Sequence, residues 1–120
     1  MTDLAHRYIA IWNEPDDGKR AAAISELFIA DATYTDPLSE VRGHEGIGAL
    51  IAGTRDQFKG LDFKILGDID AHHNIARFQW ELVPADGGEN IAIGLDILAT
   101  DPTGKLSSVY GFLDKVPAGA

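Results

Sequence analysis

The chain contains no cysteine, which excludes disulfide bonds, thiolate metal ligands and a cysteine nucleophile. Basic residues are scarce, with 10 Lys and Arg against 19 Asp and Glu, so the formal net charge is −9. This balance argues against nucleic acid and anionic membranes as partners. No apolar run approaches the roughly 18 residues that a membrane span needs. The N-terminus lacks a signal-peptide pattern, so we expect a cytoplasmic protein.

What the chain does have fits one globular domain. Its 120 residues are 45% hydrophobic and 24% charged, values typical of a single folded unit. We find no internal repeat and no low-complexity tract that would divide it. We therefore expect one domain over residues 1–120.

Two acidic residues stand out because of their surroundings. Asp36 ends the strand-like run Ala-Thr-Tyr-Thr-Asp-Pro, and Asp96 interrupts the apolar run Ile-Ala-Ile-Gly-Leu-Asp-Ile-Leu. A carboxylate inside a buried strand costs several kcal/mol unless it is paired or its pKa is raised. Two carboxylates placed in this way indicate a functional site.

The periodicity of apolar residues predicts an α+β fold. Apolar spacing predicts helices over residues 2–12, 19–28 and 43–58. We expect Thr2 or Asp3 to be the N-cap of the first helix. Residues 32–35 look like a strand, and residues 38–42 like a short connection. From residue 62 the period changes to two, which predicts consecutive antiparallel strands over residues 63–70, 75–83, 90–100 and 106–113. A curved antiparallel sheet wrapped around three helices encloses a cone-shaped cavity, where ligands bind.

Side-chain alternation gives two possible orientations for Asp96. In the first, Asp96 points into the cavity together with the inward faces of the neighbouring strands. Large apolar residues then point outward and favour a homodimer whose sheets pack back to back: Ile93, Leu95, Ile97, Tyr110 and Phe112. In the second, Asp96 faces solvent and the aliphatic residues of its strand form the core.

These segments resemble a known family. The chain resembles bacterial ketosteroid isomerases in several segments. The most specific match is the Ala-Thr-x-x-Asp-Pro stretch, which is followed by a helix that starts with Gly-x-Glu-x-Ile. The region of Tyr8 and the segments around Asp96 and Gly111 are also similar. More broadly, residues from about 4 to 114 look like the nuclear transport factor 2-like superfamily, which includes SnoaL-like polyketide cyclases. The resemblance implies a cone-shaped α+β barrel of the cystatin-like or nuclear transport factor 2-like type.

The resemblance also implies roles for three residues. Asp36 falls at the position of the general base, which takes a proton α to a carbonyl group. Tyr8 and a protonated Asp96 fall at the positions that donate hydrogen bonds to the enolate oxygen. A compact apolar carbonyl compound is the implied substrate, and isomerisation and cyclisation both use the same enolate.

Further residues are predicted to contact the substrate through the inner faces of the helix and strands: Trp12, Phe78, Trp80, Leu98, Val109, Gly111 and Leu113. No phosphate-binding glycine loop or metal-ligand constellation is present, so we expect no cofactor. The alternative hypothesis is a non-catalytic ligand-binding or dimeric scaffold protein of the same fold. A third, epoxide hydrolysis, would need Arg77 between two inward carboxylates, and strand parity argues against it.

Overall fold

The computed structural model describes residues 1–117, which form three helices and one six-stranded sheet. The elements follow one another in this order: α1 (Thr2–Asn13), α2 (Asp17–Leu27), β1 (Phe28–Thr35), β2 (Glu40–Arg42), α3 (Gly43–Gln57), β3 (Leu61–His72), β4 (Ile75–Pro84), β5 (Ala92–Thr100) and β6 (Leu106–Lys115). The α+β prediction is confirmed. No helix in the described part of the chain is long and apolar enough to cross a membrane.

The sheet is open, with strand order β2-β1-β6-β5-β4-β3. Neighbouring strands are antiparallel except β1 and β6, which run parallel. The three helices cover the inner face, where the core forms around Tyr8 of α1, Phe28 of β1, Ile51 of α3 and Phe78 of β4. The helices thus close one side of a curved sheet, and the cavity described below lies between them.

The local expectations needed four corrections. The N-cap of α1 is Met1 and makes no side-chain cap, so Thr2 and Asp3 lie inside the helix. Helix α2 starts two residues earlier than predicted, because the Asp16 side chain accepts a hydrogen bond from the Lys19 amide at 2.7 Å. Strand β1 starts at Phe28 rather than residue 32. Residues 40–42, predicted as a connection, form the edge strand β2.

The alternation of buried and exposed residues on the central strands shows which of the two orientations Asp96 adopts. Along β5, Asp96 and Leu98 are buried on the inner face, while Leu95 and Ile97 are only half-buried on the outer one. On β6 the outer residues are Tyr110 and Phe112, which are 46% and 54% exposed. Asp96 therefore points inward, and the described chain presents an apolar outer face.

The ring of Trp80 packs closely against Gly94 on this inner face. Gly94 lies opposite Trp80 in the β4–β5 register. The Trp80 ring fills the place where a side chain on Gly94 would start, and a Cβ there would also come within 2.8 Å of the Phe112 carbonyl oxygen. Only glycine fits between β4 and β6 at this position.

We predict that Gly94→Ala lowers the free energy of unfolding by about 1–3 kcal/mol, because Trp80 must leave its position. The matched control is Gly53→Ala in α3, where a Cβ would meet nothing within 4 Å. That change removes a flexible glycine from a helix and is expected to raise the free energy of unfolding by about 0.5–1 kcal/mol. Urea unfolding measures both, and equal stability of the two variants would contradict the steric account.

Candidate active site

A cavity of about 640 Å³ lies between helices α1 and α3 and the inner face of the sheet. Its wall is mainly apolar and aromatic, and it includes the two acidic residues singled out in the sequence, Asp36 and Asp96. No Lys, Arg or His side chain lines it among the described residues. The cavity size and its apolar wall suit a small organic ligand, and the two carboxylates supply its polar end.

Asp96 is the most deeply buried acid of the site, with 4% of its surface exposed. The Tyr8 hydroxyl donates to its Oδ2 at 2.9 Å, and the Trp80 indole N–H donates to its Oδ1 at 3.1 Å. The pKa of Asp96 is raised to about 6, mainly by burial and to a smaller extent by the negative charge of Asp36. The hydrogen bonds from Trp80 and Tyr8 act in the opposite direction because they favour the charged form.

Tyr8 lies beneath Asp96 rather than on the cavity wall. Its side chain is fully buried and packs edge-on against the rings of Trp12, Phe28 and Phe78. Burial, and then the charge of Asp96, raise the pKa of the Tyr8 hydroxyl well above its ordinary value, so it remains a neutral donor. The Tyr8 hydroxyl proton is directed to Asp96, whereas the family resemblance implied a donor to the ligand oxygen.

Asp36 lies at the end of β1 and is held by a local turn. Its Oδ1 accepts hydrogen bonds from the amides of Leu38 and Ser39 at 2.9 and 2.7 Å. Its Oδ2 accepts one from the Tyr34 hydroxyl at 2.7 Å. All three partners are donors, which is the hydrogen-bonding pattern of an ionised carboxylate. Oδ2 has a single donor and keeps a lone pair free.

Gly111 lies close to both acidic residues. It lies opposite Asp96 in the β5–β6 register. A Cβ at residue 111 would lie 3.0 Å from Asp96 Oδ1 and 3.2 Å from Asp36 Cβ. A side chain there would crowd both acidic residues, and one or both would have to shift by a few tenths of an ångström.

The structure places the seven predicted substrate-contacting residues in two groups. Trp12, Trp80 and Leu113 line the cavity. The other four are not among the residues that line it: Phe78, Leu98, Val109 and Gly111. The first three are buried in the core, where the inner face of the sheet meets α1, and Gly111 lies opposite Asp96 in the β5–β6 register. Alternation identified the inward face of β4 but left the inward face of β5 open, and it did not distinguish the core end of a face from its cavity end.

Two polar groups of the site were missed from the sequence. Tyr34 lines the cavity and binds Asp36, and its position two residues earlier on the same strand could have revealed it, since such residues share a face. Trp80 was expected only to line the pocket, but its N–H is a hydrogen-bond donor to Asp96. The Trp12 indole N–H is buried and has no hydrogen-bond partner within the described chain.

Other candidate groups lie outside the site. Arg77 is on the outer face, where it pairs with Asp70 at 3.5 Å and both side chains are largely exposed. The arrangement needed for epoxide hydrolysis, an arginine between two inward acids, is therefore not formed within residues 1–117. In that same span, no three His, Asp or Glu residues come together in a way that could hold a metal ion.

Comparison with known proteins agrees with this architecture. A candidate isomerase of the SnoaL-like family from Agrobacterium tumefaciens strain C58 superposes with a TM-score of 0.90 at 35% identity, over 94% of this chain and 96% of that one. A candidate SnoaL-like polyketide cyclase from Jannaschia sp. CCS1 gives a TM-score of 0.72 at 14% identity, over 94% and 86% of the two chains. A candidate polyketide cyclase from Sinorhizobium meliloti gives 0.71 at 14% identity, over 91% and 93%.

The two structures at 14% identity support the fold alone. No curated protein sequence matches the chain significantly. The sequence profile described as the SnoaL-like domain matches residues 5–108, which is most of the chain. The chain therefore belongs to the SnoaL-like family.

Proposed function

We propose that this protein is a cofactor-independent enzyme that removes a proton α to a carbonyl group of a compact apolar compound. One observation carries the proposal: two carboxylates in unlike environments share the polar end of one apolar cavity. Paired acids whose surroundings differ in this way are suited to divide base and acid roles between them. The similarity to a candidate isomerase of the same family supports the proposal.

In the proposed reaction Asp36 is the base. Its Oδ2 has one hydrogen bond, from Tyr34, and a free lone pair that can take the α-proton. The electron pair of the broken C–H bond moves to the carbonyl oxygen, which becomes an enolate. The carboxylic acid formed on Asp36 can return the proton to a different carbon, and an aldol closure would start from the same enolate.

Asp96 would stabilise the enolate oxygen as a neutral acid. Its pKa of about 6 means that the protonated, donating form predominates below that pH and is lost as pH rises through it. An enolate beside Asp96 adds negative charge and favours the protonated form further. Tyr8 and Trp80 would act as positioning residues, because each holds one oxygen of Asp96.

The alternative is a binding protein without catalysis, and one observation favours it. Both oxygens of each carboxylate already accept hydrogen bonds from the protein, which is also what a purely structural pair would show. Such a protein would bind a ketone without exchanging its α-protons, so the exchange assay below distinguishes the two functions.

We also propose that the protein forms a homodimer through its outer sheet face, and that it works in the cytoplasm. The paired residues Leu95 and Phe112, and Ile97 and Tyr110, make a continuous apolar strip on β5 and β6. A second copy of the chain presents the same strip, so the two faces match each other in an isologous contact.

We predict that Asp36→Asn slows α-proton exchange by about 10²–10⁴-fold, because the amide cannot accept the proton. The assay follows deuterium incorporation beside the carbonyl of 4-phenylbutan-2-one by NMR. The control Asp31→Asn removes the same charge from an exposed position on the same strand and should leave exchange unchanged. Full exchange by a correctly folded Asp36→Asn variant would exclude this residue as the base.

The pH dependence tests Asp96. We predict that wild-type exchange decreases as pH rises through about 6, because the donating acid is lost. In Asp96→Asn the amide group donates at every pH, so the decrease above pH 6 should disappear from a profile measured between pH 4.5 and 8.5. A decrease of the same size in both proteins would show that another group controls the profile.

The dimer is tested by light scattering against the chain mass of 12.9 kDa. Wild type should have twice this mass, and Phe112→Glu should shift it towards the monomer, because a charge would be buried in the contact. Leu38→Glu, at an 83% exposed residue away from this face, is the matched control and should stay dimeric. A monomeric wild type at micromolar concentration would refute the proposal.

A further inference from the structure

Four aromatic rings form a continuous arc along the cavity wall. Tyr34 contacts Trp12 with ring centroids 5.8 Å apart, Trp12 contacts Phe63 at 5.5 Å, and Phe63 contacts Trp80 at 5.3 Å. All four residues line the cavity. They come from α1, β1, β3 and β4, so the fold assembles the arc from four separate elements.

Each end of this aromatic arc is attached to one of the two carboxylates. The Tyr34 hydroxyl donates to Asp36, and the Trp80 indole N–H donates to Asp96. Aromatic faces carry partial negative charge, and the two acids lie at the ends of the row. A ligand against the arc therefore lies in the negative potential of both carboxylates.

Nothing in the described cavity wall offsets this potential. The hydrogen-bond partners of the two acids are phenols, an indole and backbone amides, which are neutral groups. Within residues 1–117 the wall contains no basic side chain, and the chain as a whole carries a net charge of −9. An anionic ligand would be repelled, whereas a cation would supply the charge that the wall lacks.

We propose that the cavity binds an organic cation, a protonated amine or quaternary ammonium group, against the aromatic arc and between the two carboxylates. Aromatic faces, tryptophan above all, attract such cations when water is excluded. The cavity volume of about 640 Å³ admits an ammonium group with an attached ring. This binding does not depend on the proposed proton abstraction and would hold for an enzyme or a binding protein.

The test compares two probes of the same shape. Benzyltrimethylammonium carries the cation, and neopentylbenzene has carbon in place of the charged nitrogen. Both tryptophans of the chain line the cavity, so quenching of their emission reports occupancy directly. At constant ionic strength and pH 7.5 we expect the ammonium probe to bind at least about tenfold more tightly than its neutral counterpart.

Variants then locate the interaction. Asp36→Asn and Asp96→Asn should each weaken ammonium binding about five- to tenfold and leave neopentylbenzene binding unchanged. Asp31→Asn, on the exposed face of β1, removes the same charge outside the cavity and should change neither affinity. Asp36 is half-exposed in a turn, so its variant keeps the test decisive if the change at buried Asp96 prevents folding.

Three results would overturn the proposal. Equal affinity for the two probes would mean that the cavity selects shape alone. An equal loss of ammonium affinity in Asp31→Asn would mean that the charge of the whole protein attracts the cation. Absence of quenching by millimolar benzyltrimethylammonium would exclude the site, whether or not 4-phenylbutan-2-one binds in the same cavity.

Discussion

The burial of the Asp96 carboxylate is the constraint on which the rest of the site depends. An unpaired charge at this depth would cost several kcal/mol, so the fold must bring hydrogen-bond donors to both oxygens. One donor is Tyr8, 88 residues away in sequence on α1, and the other is Trp80 on the adjacent strand. The contact with Tyr8 also fixes α1 against the sheet, because the same ring packs among core aromatics. The same residue, Tyr8, therefore both binds the carboxylate of Asp96 and packs in the hydrophobic core.

Two glycines show what this arrangement requires of the neighbouring strands. Trp80 reaches Asp96 because its ring lies where a side chain on Gly94 would be, and a side chain on Gly111 would crowd both Asp96 and Asp36. Both glycines are buried on the inner face of the sheet and contribute nothing to hydrophobic packing. The apolar core is therefore concentrated at the other end of that face, around Phe78, Leu98 and Val109. Space for a ligand and tight packing are separated along the same strands.

This separation explains what the sequence could and could not predict. Period-two patterns identified the four long strands from residue 62 onward and the inward face of β4, since alternation follows directly from strand geometry. They left open whether Asp96 faces the cavity or solvent. The patterns could not distinguish Phe78 in the core from Trp80 at the cavity, because the two residues share a face and differ only in position along it. Nor could they show that the Tyr8 hydroxyl is used by Asp96. That bond depends on the packing of α1 on the sheet, which no local period encodes.

The two carboxylates differ because they are held by different parts of the fold. Every donor to Asp36 lies within three residues of it in sequence, in the strand end and turn from Tyr34 to Ser39. The donors to Asp96 lie on two other elements and depend on the tertiary structure. A local turn open to the cavity mouth leaves Asp36 half-exposed, whereas Asp96 is buried under the core, and this burial raises its pKa although the hydrogen bonds from Tyr8 and Trp80 lower it. The unlike environments, on which any division of acid and base roles would rest, are therefore a direct consequence of where each acid lies in the chain.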